Sequence, residues 1–153
     1  MAWTTPKTDW ETGELVSADD LNAVSENLAE LDRVRKTVAA HATTVDIRIP
    51  HSATFVDIDS HFNLTITTAG GDVLVHFHGV VTAPDFKIDV DIDGTRQGQA
   101  DHGLRYGGGN ANNELLSFTR LVQNLSAGSH TFKLQGKNDT TLRAGAQFWV
   151  REI

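Results

Sequence analysis

No cysteine occurs among the 153 residues. That excludes disulfides, thiolate metal centres, iron–sulfur clusters and cysteine nucleophiles, so stability has to come from packing or from association between copies. Proline is scarce, at 3 residues, and aromatic side chains make up only 7%. Basic side chains are outnumbered: 13 Lys and Arg stand against 20 Asp and Glu, a formal charge of -7. With no basic patch to override that charge, no nucleic-acid partner is expected. Runs of the roughly 18 apolar residues needed to cross a bilayer are missing, so no membrane insertion is expected. Residues 1–16 carry Lys7, Asp9, Glu11 and Glu14 and lack the apolar centre of a signal peptide, which leads to the expectation of a protein that is not exported through a cleaved signal. The length is that of one ordinary domain.

Glycine is missing from residues 17–42, while 12 of the 13 glycines lie at or beyond Gly70. This shift predicts a helix followed by a β domain. Ser17 stands before Ala18, Asp19 and Asp20, where its hydroxyl can cap a free backbone N–H and the two acids meet the positive end of the helix dipole. Asp20 takes the place of Glu in a capping box. Leu21, Val24, Leu28, Leu31 and Val38 then recur at heptad spacing, with Arg35 at the intermediate seam position. So narrow a stripe suits a small bundle of like helices, here a trimerisation helix over 17–42; the alternative is that it folds back on its own β domain.

From residue 43 the apolar period becomes two. Val45, Ile47 and Ile49 alternate with polar residues, as do Phe62, Leu64 and Ile66, and Phe86, Ile88, Val90 and Ile92. Further strands are expected over 53–58, 72–81, 95–99, 114–125, 129–136 and 142–153, with tight turns at Gly70-Gly71 and Asp93-Gly94. So many strands without an intervening helix predict an antiparallel β-sandwich over 43–153, most simply a jelly roll. Two strands are apolar on both faces. Val73, Val75 and Phe77 are backed by Leu74, His76, His78 and Val80, and Leu116, Phe118 and Val122 by Leu115 and Leu121. A second apolar face on a sandwich strand points to a contact between subunits.

Two stretches carry a resemblance. The opening Trp3-Thr4-Thr5-Pro6-Lys7-Thr8-Asp9-Trp10, followed by Ser17-Ala18-Asp19-Asp20-Leu21-Asn22, resembles the N-terminal segment of many phage and prophage virion proteins. The segment Leu125-Ser126-Ala127-Gly128-Ser129-His130-Thr131-Phe132-Lys133-Leu134, with Val90-Asp91-Ile92-Asp93-Gly94-Thr95 before it, is similar to hairpins of trimeric jelly rolls of the tumour-necrosis-factor and complement type. The resemblance implies a homotrimeric virion protein of tail-fibre or receptor-binding type, located in the phage particle and made in the bacterial cytoplasm. It would attach to another virion protein through residues 1–16; a capsid decoration protein or a glycan-binding module of the same fold are the alternatives. Trp3, Pro6 and Trp10 are costly to leave in water and suit the part of anchors in a partner's groove.

Evidence for catalysis is thin, and no enzyme activity or cofactor is expected. Nucleophile elbow, phosphate-binding glycine loop and HExxH are all absent. Asp89, Asp91, Asp93 and Gly94 spell half of a calcium loop, but its closing acid position holds Ala100. The alternation predicts these acids on the solvent face opposite Ile88, Val90 and Ile92, where with Asp101 they offer at most a weak calcium site. His76 and His78 project to one side of a strand and would gather around a threefold axis as a metal site, although a packed pair is the commoner outcome. The remaining candidate is a loop of Gly107-Gly108-Gly109 and Asn110, Asn112 and Asn113 beside Arg105 and Tyr106, an adaptable surface for a host-cell glycan or protein receptor.

Overall fold

Ser17 starts the helix by the device its sequence calls for. In the computed structural model, which describes residues 15–36, 38–49, 51–82, 85–107 and 113–153 and the side chains of all of these except 32–36, the Asp20 backbone N–H donates to Ser17 Oγ at 3.2 Å. The Ser17 N–H donates in return to the Asp20 carboxylate at 3.0 Å. This is the capping box with Asp in place of Glu. The helix, α1, spans Ala18–Lys36 and is shorter than the heptad pattern predicts. Val38 does not extend the seam; it opens a strand, β1, Val38–Ala42. Alanine is the best helix former, yet here the backbone groups of β1 are taken by a five-residue antiparallel ladder, tertiary pairing overriding local propensity. Met1–Thr37 and Val38–Ile153 are separate compact units.

Among its described residues the second unit holds eleven further strands: β2 (Ile47–Ile49), β3 (Val56–Asp57), β4 (Asn63–Thr68), β5 (Gly71–Val81), β6 (Lys87–Ile92), β7 (Thr95–Arg96), β8 (Arg105–Tyr106), β9 (Glu114–Leu125), β10 (Gly128–Lys137), β11 (Thr140–Leu142) and β12 (Gln147–Glu152). The single strand expected over 142–153 is thus two, broken by a turn with Gly145 at φ 88°. All pairings are antiparallel. In the first sheet β5 lies between β9 on one edge and β12 and β11 on the other, with β1 outside β12 and β2 outside β11. In the second, β10 lies between β3 and β4 on one edge and β6 on the other, and β7 and β8 line the far edge of β6. Asp93 and Gly94, at φ 51° and 86°, form the two-residue turn that sets Ile92 opposite Thr95, as a hairpin with both central residues at positive φ requires.

Period two explains the core. Val73, Val75, Phe77, Val81, Leu116, Phe148 and Val150 of the first sheet, and Ile66, Ile88, Val90, Phe132 and Leu134 of the second, are buried between the layers. The fold is a jelly-roll-like antiparallel β-sandwich following one helix.

One expectation fails instructively. Asp89 and Asp91 are not on a solvated face: Asp89 is 0% exposed and Asp91 is buried. The outer side of β6 is covered because Arg96 folds over it. Its Nε donates to Asp89 Oδ2 at 2.8 Å, and the Phe55 ring lies 4.0 Å from the guanidinium. Asp91 accepts from the Gly94 N–H, and Asp93 from the Thr131 N–H. All three acids are thereby committed to holding the chain, and the calcium reading loses its ligands.

Candidate functional site

The outward residues of the first sheet bring several large apolar side chains to one surface. The register places Val38, Arg151, Leu74 and Leu121 in one row across β1, β12, β5 and β9. The next row is Ala40, Trp149, His76 and Thr119, followed by Gln147, His78 and Ser117, and then Val80 beside Leu115. Val38, Leu115 and Leu121 are 44%, 53% and 41% exposed, whereas Leu74, Val80 and Trp149 are half-buried. Leu74, His76, His78, Val80, Leu115 and Leu121 therefore share one face, as their positions in sequence predict. Val38 joins them through β1 instead of through the helix. A groove of about 250 Å³ runs beside Trp149 between β1 and β12.

Trp149 is the member that sequence reasoning passed over. It lies between the buried Phe148 and Val150, so alternation alone puts its ring on the outer face. The ring stacks on His76 with centroids 5.0 Å apart and planes at 25°. His76 Nδ1 is 2.9 Å from Thr119 Oγ1. Burial, and after it the neighbouring His78, lower the His76 pKa below its usual 6.5, so the ring stays neutral on this face near pH 7. His76 is thus held by a hydroxyl and an indole. Among the described residues no group of three or more His, Asp or Glu is placed to hold a metal ion.

Leu21, Val24, Leu28 and Leu31 run along α1 and are all exposed. Trp3, Pro6 and Trp10 lie outside the described residues, as do Asn110 and Asn112. Arg105 and Tyr106 are the two residues of β8, both exposed. Asn113 has φ 69° and its Oδ1 accepts from Arg143 Nε, just past β11, at 3.4 Å.

At the β8 edge a cleft of about 720 Å³ opens between the two sheets, floored by Gln97, Gly98, Gln99, His102, Gly103, Leu104 and β8 and flanked by Arg120 of β9. The 97–104 segment is tightly made. Gln99 and Gly103 exchange two backbone hydrogen bonds, Leu104 N–H donates to the Ile88 carbonyl at 2.9 Å, and the Arg96 guanidinium reaches the carbonyls of Gln99 and Ala100. A Cβ on Gly103, at φ 66°, would stand 2.4 Å from the Ile88 carbonyl oxygen, and one on Gly98 2.3 Å from the Gly103 carbonyl carbon. Only glycine fits at either place.

His130 sits in a third arrangement. Its Nδ1 is 2.6 Å from Asp93 Oδ2, and its Nε2 is 2.8 Å from the Ser126 carbonyl oxygen and 3.4 Å from Ser126 Oγ. Ser, His and Asp in that order have the look of a nucleophilic triad. The nitrogen that would take the serine proton instead faces the serine's own carbonyl, so both ring nitrogens point at acceptors. The hydrogen bond to Asp93, above all, raises the His130 pKa above 6.5. The trio therefore clamps the β9–β10 turn to the β6–β7 turn, and protonation of the ring strengthens the clamp by giving both acceptors a donor.

No family model matches the chain, and no curated protein matches it. Among solved structures it is similar to one of infectious bursal disease virus, Gx strain, at 13% identity and a TM-score of 0.40, over 74% of this chain and 32% of the other. The chain thus spans about a third of that protein's length.

Proposed function

We propose that this chain is a non-enzymatic structural protein of a phage-type virus particle, a homotrimer attached by residues 1–16 and serving at a tail tip or fibre in host attachment. The observation that carries the proposal is the outer face of the first sheet. A tryptophan, Val38, Leu74, Val80, Leu115 and Leu121 on one side of one sheet are what a subunit contact requires and what a solitary sandwich avoids. Other copies of the chain are the natural cover. Thr37 alone separates α1, with its own exposed leucine seam, from the first strand of that face, so both apolar surfaces enter one assembly. The place in a virion follows from the likeness of the Trp3–Trp10 stretch to virion N-terminal segments.

Light scattering on the purified chain is expected to give three times its 16.7 kDa mass. The double variant Leu115→Asp, Leu121→Asp places two carboxylates on the face and is expected to give monomers with unchanged β-sheet circular dichroism. A wild-type monomer at micromolar concentration would overturn the proposal. Immunogold labelling of whole particles separates a tail location from a decoration protein spread over the capsid.

A further inference from the structure

The cleft at the β8 edge combines features that a hydrophobic contact does not need. Arg105 and Arg120 enter it from different sheets. Among the described residues neither has an ion-pair or hydrogen-bond partner, in contrast to Arg96 and Arg143, which are held by Asp89 and Asp46. In a chain of formal charge -7, two uncommitted guanidiniums around one opening are a local reversal of sign. The lining contains no Asp or Glu. The acids of the neighbourhood are Asp101, exposed on the 97–104 segment, and Glu114, whose carboxylate lies against Gly107.

The rest of the lining is equally specific in kind. Tyr106 is 46% exposed and its ring lies 5.4 Å from that of His102 with the planes at 58°, so the Tyr106 face is open to solvent with the imidazole tilted beside it. Gln97 and Gln99 supply amides that both donate and accept. Guanidiniums bind carboxylates through two parallel hydrogen bonds, aromatic faces cover the C–H side of a sugar ring, and amides suit vicinal hydroxyls. The floor is already formed, pinned by half-buried Arg96 on the buried carboxylate of Asp89 and by two glycines that cannot be replaced, so little ordering remains to be done on binding. Phosphodiester polymers fit less well, because the overall negative charge opposes them.

We infer that this cleft is a binding site for a carboxylate-bearing saccharide, a uronic-acid-type sugar, with Arg105 and Arg120 on the carboxylate, Tyr106 under the ring with His102 at its edge, and Gln97 and Gln99 on the hydroxyls. The inference deepens the host-attachment reading and rests on it for its biological meaning; the chemistry of the cleft lies within a single chain.

Isothermal calorimetry of the full chain with tetragalacturonic acid, its methyl ester and inorganic phosphate tests it. The acid is expected to bind saturably, and the ester at least about tenfold more weakly, as loss of a charge-assisted contact implies. Arg120→Gln and Tyr106→Ala should each weaken binding by roughly the same factor, and Arg48→Gln, at an exposed arginine of β2 outside the cleft, should not. No saturation by about 10 mM, a limit weaker than a millimolar dissociation constant, would overturn the inference. Equal affinity for the ester would do so as well, and phosphate binding as tight as the acid would reduce the cleft to a general anion site. Light scattering on the same samples keeps the outcomes apart: an intact trimer without sugar binding sinks the cleft alone, whereas sugar binding by a monomer sinks the trimer alone.

Discussion

Asp89 and Arg96 show how one pair of residues can be misread from the sequence and still govern a site. Alternation along β6 assigns Asp89 to water, and the carboxylate is instead fully buried against Arg96. Replacing Arg96 with Met strands that charge in the interior. A loss of about 3–5 kcal/mol is expected, measured as a shift in urea midpoint, and adding Asp89→Asn should restore part of it. His130 and Asp93 lead to a second expectation, with signs that oppose each other. The His130 pKa is raised, chiefly by its hydrogen bond to Asp93, so its contribution is complete below 6.5 and is lost as pH rises through the raised value. The Asp93 pKa is lowered, first by the Thr131 N–H and then by His130, so its contribution is complete above 3.8 and is lost as pH falls through the lowered value. The melting temperature should therefore pass through a plateau between these values. Asp93→Asn should flatten the decline on the alkaline side, and a wild-type profile that rises steadily through pH 7 would contradict the clamp.

At the scale of elements, most strands were legible because half-buried strands announce themselves by alternation and by Asp-Gly and Gly-Gly turns. β4, β5, β6, β9 and β10 all lie where that pattern puts them. β1 was not legible. Val38-Ala39-Ala40-His41-Ala42 has no helix breaker, and only its pairing partner, a strand more than a hundred residues later, decides its conformation. Trp149 was legible in principle, by parity against Phe148 and Val150, and the cleft was not, since it joins the 97–104 segment to Arg120 across two sheets. The helix, by contrast, states its own cap and its own stripe. Leu28 and Leu31 are exposed on α1 at successive seam positions. Leu28→Asp with Leu31→Asp should weaken assembly at least about tenfold, the effect of leaving carboxylates in an apolar seam. Sedimentation equilibrium reads this directly, and an unchanged mass would mean that α1 takes no part in assembly.

For the whole molecule, the decisive question is what lies over the face around Trp149, and acid offers a way to ask it. His76 is neutral there, its pKa lowered by burial and then by His78. The outward residues of the strands around it include Arg151 and His78 as basic groups. The one acid in line with them, Asp72 at the end of β5, accepts from the Asn124 N–H at 3.0 Å, away from the imidazole. Cover by a second copy would remove more water from His76 and so lower its pKa further. A histidine whose pKa falls further on assembly binds its proton more readily in the separated state, so assembly is favoured above the already lowered pKa of the separate chain and weakened as pH falls below it. Sedimentation velocity at about pH 7.5 and about pH 5, on either side of the histidine range, should show intact trimers at the first and smaller species at the second. His76→Gln keeps a polar group beside Thr119 but cannot be charged, and it should hold the trimer together at both. If wild type and variant dissociate alike in acid, His76 lies outside the contact, and if neither dissociates, the face around Trp149 remains in water and the copies meet elsewhere.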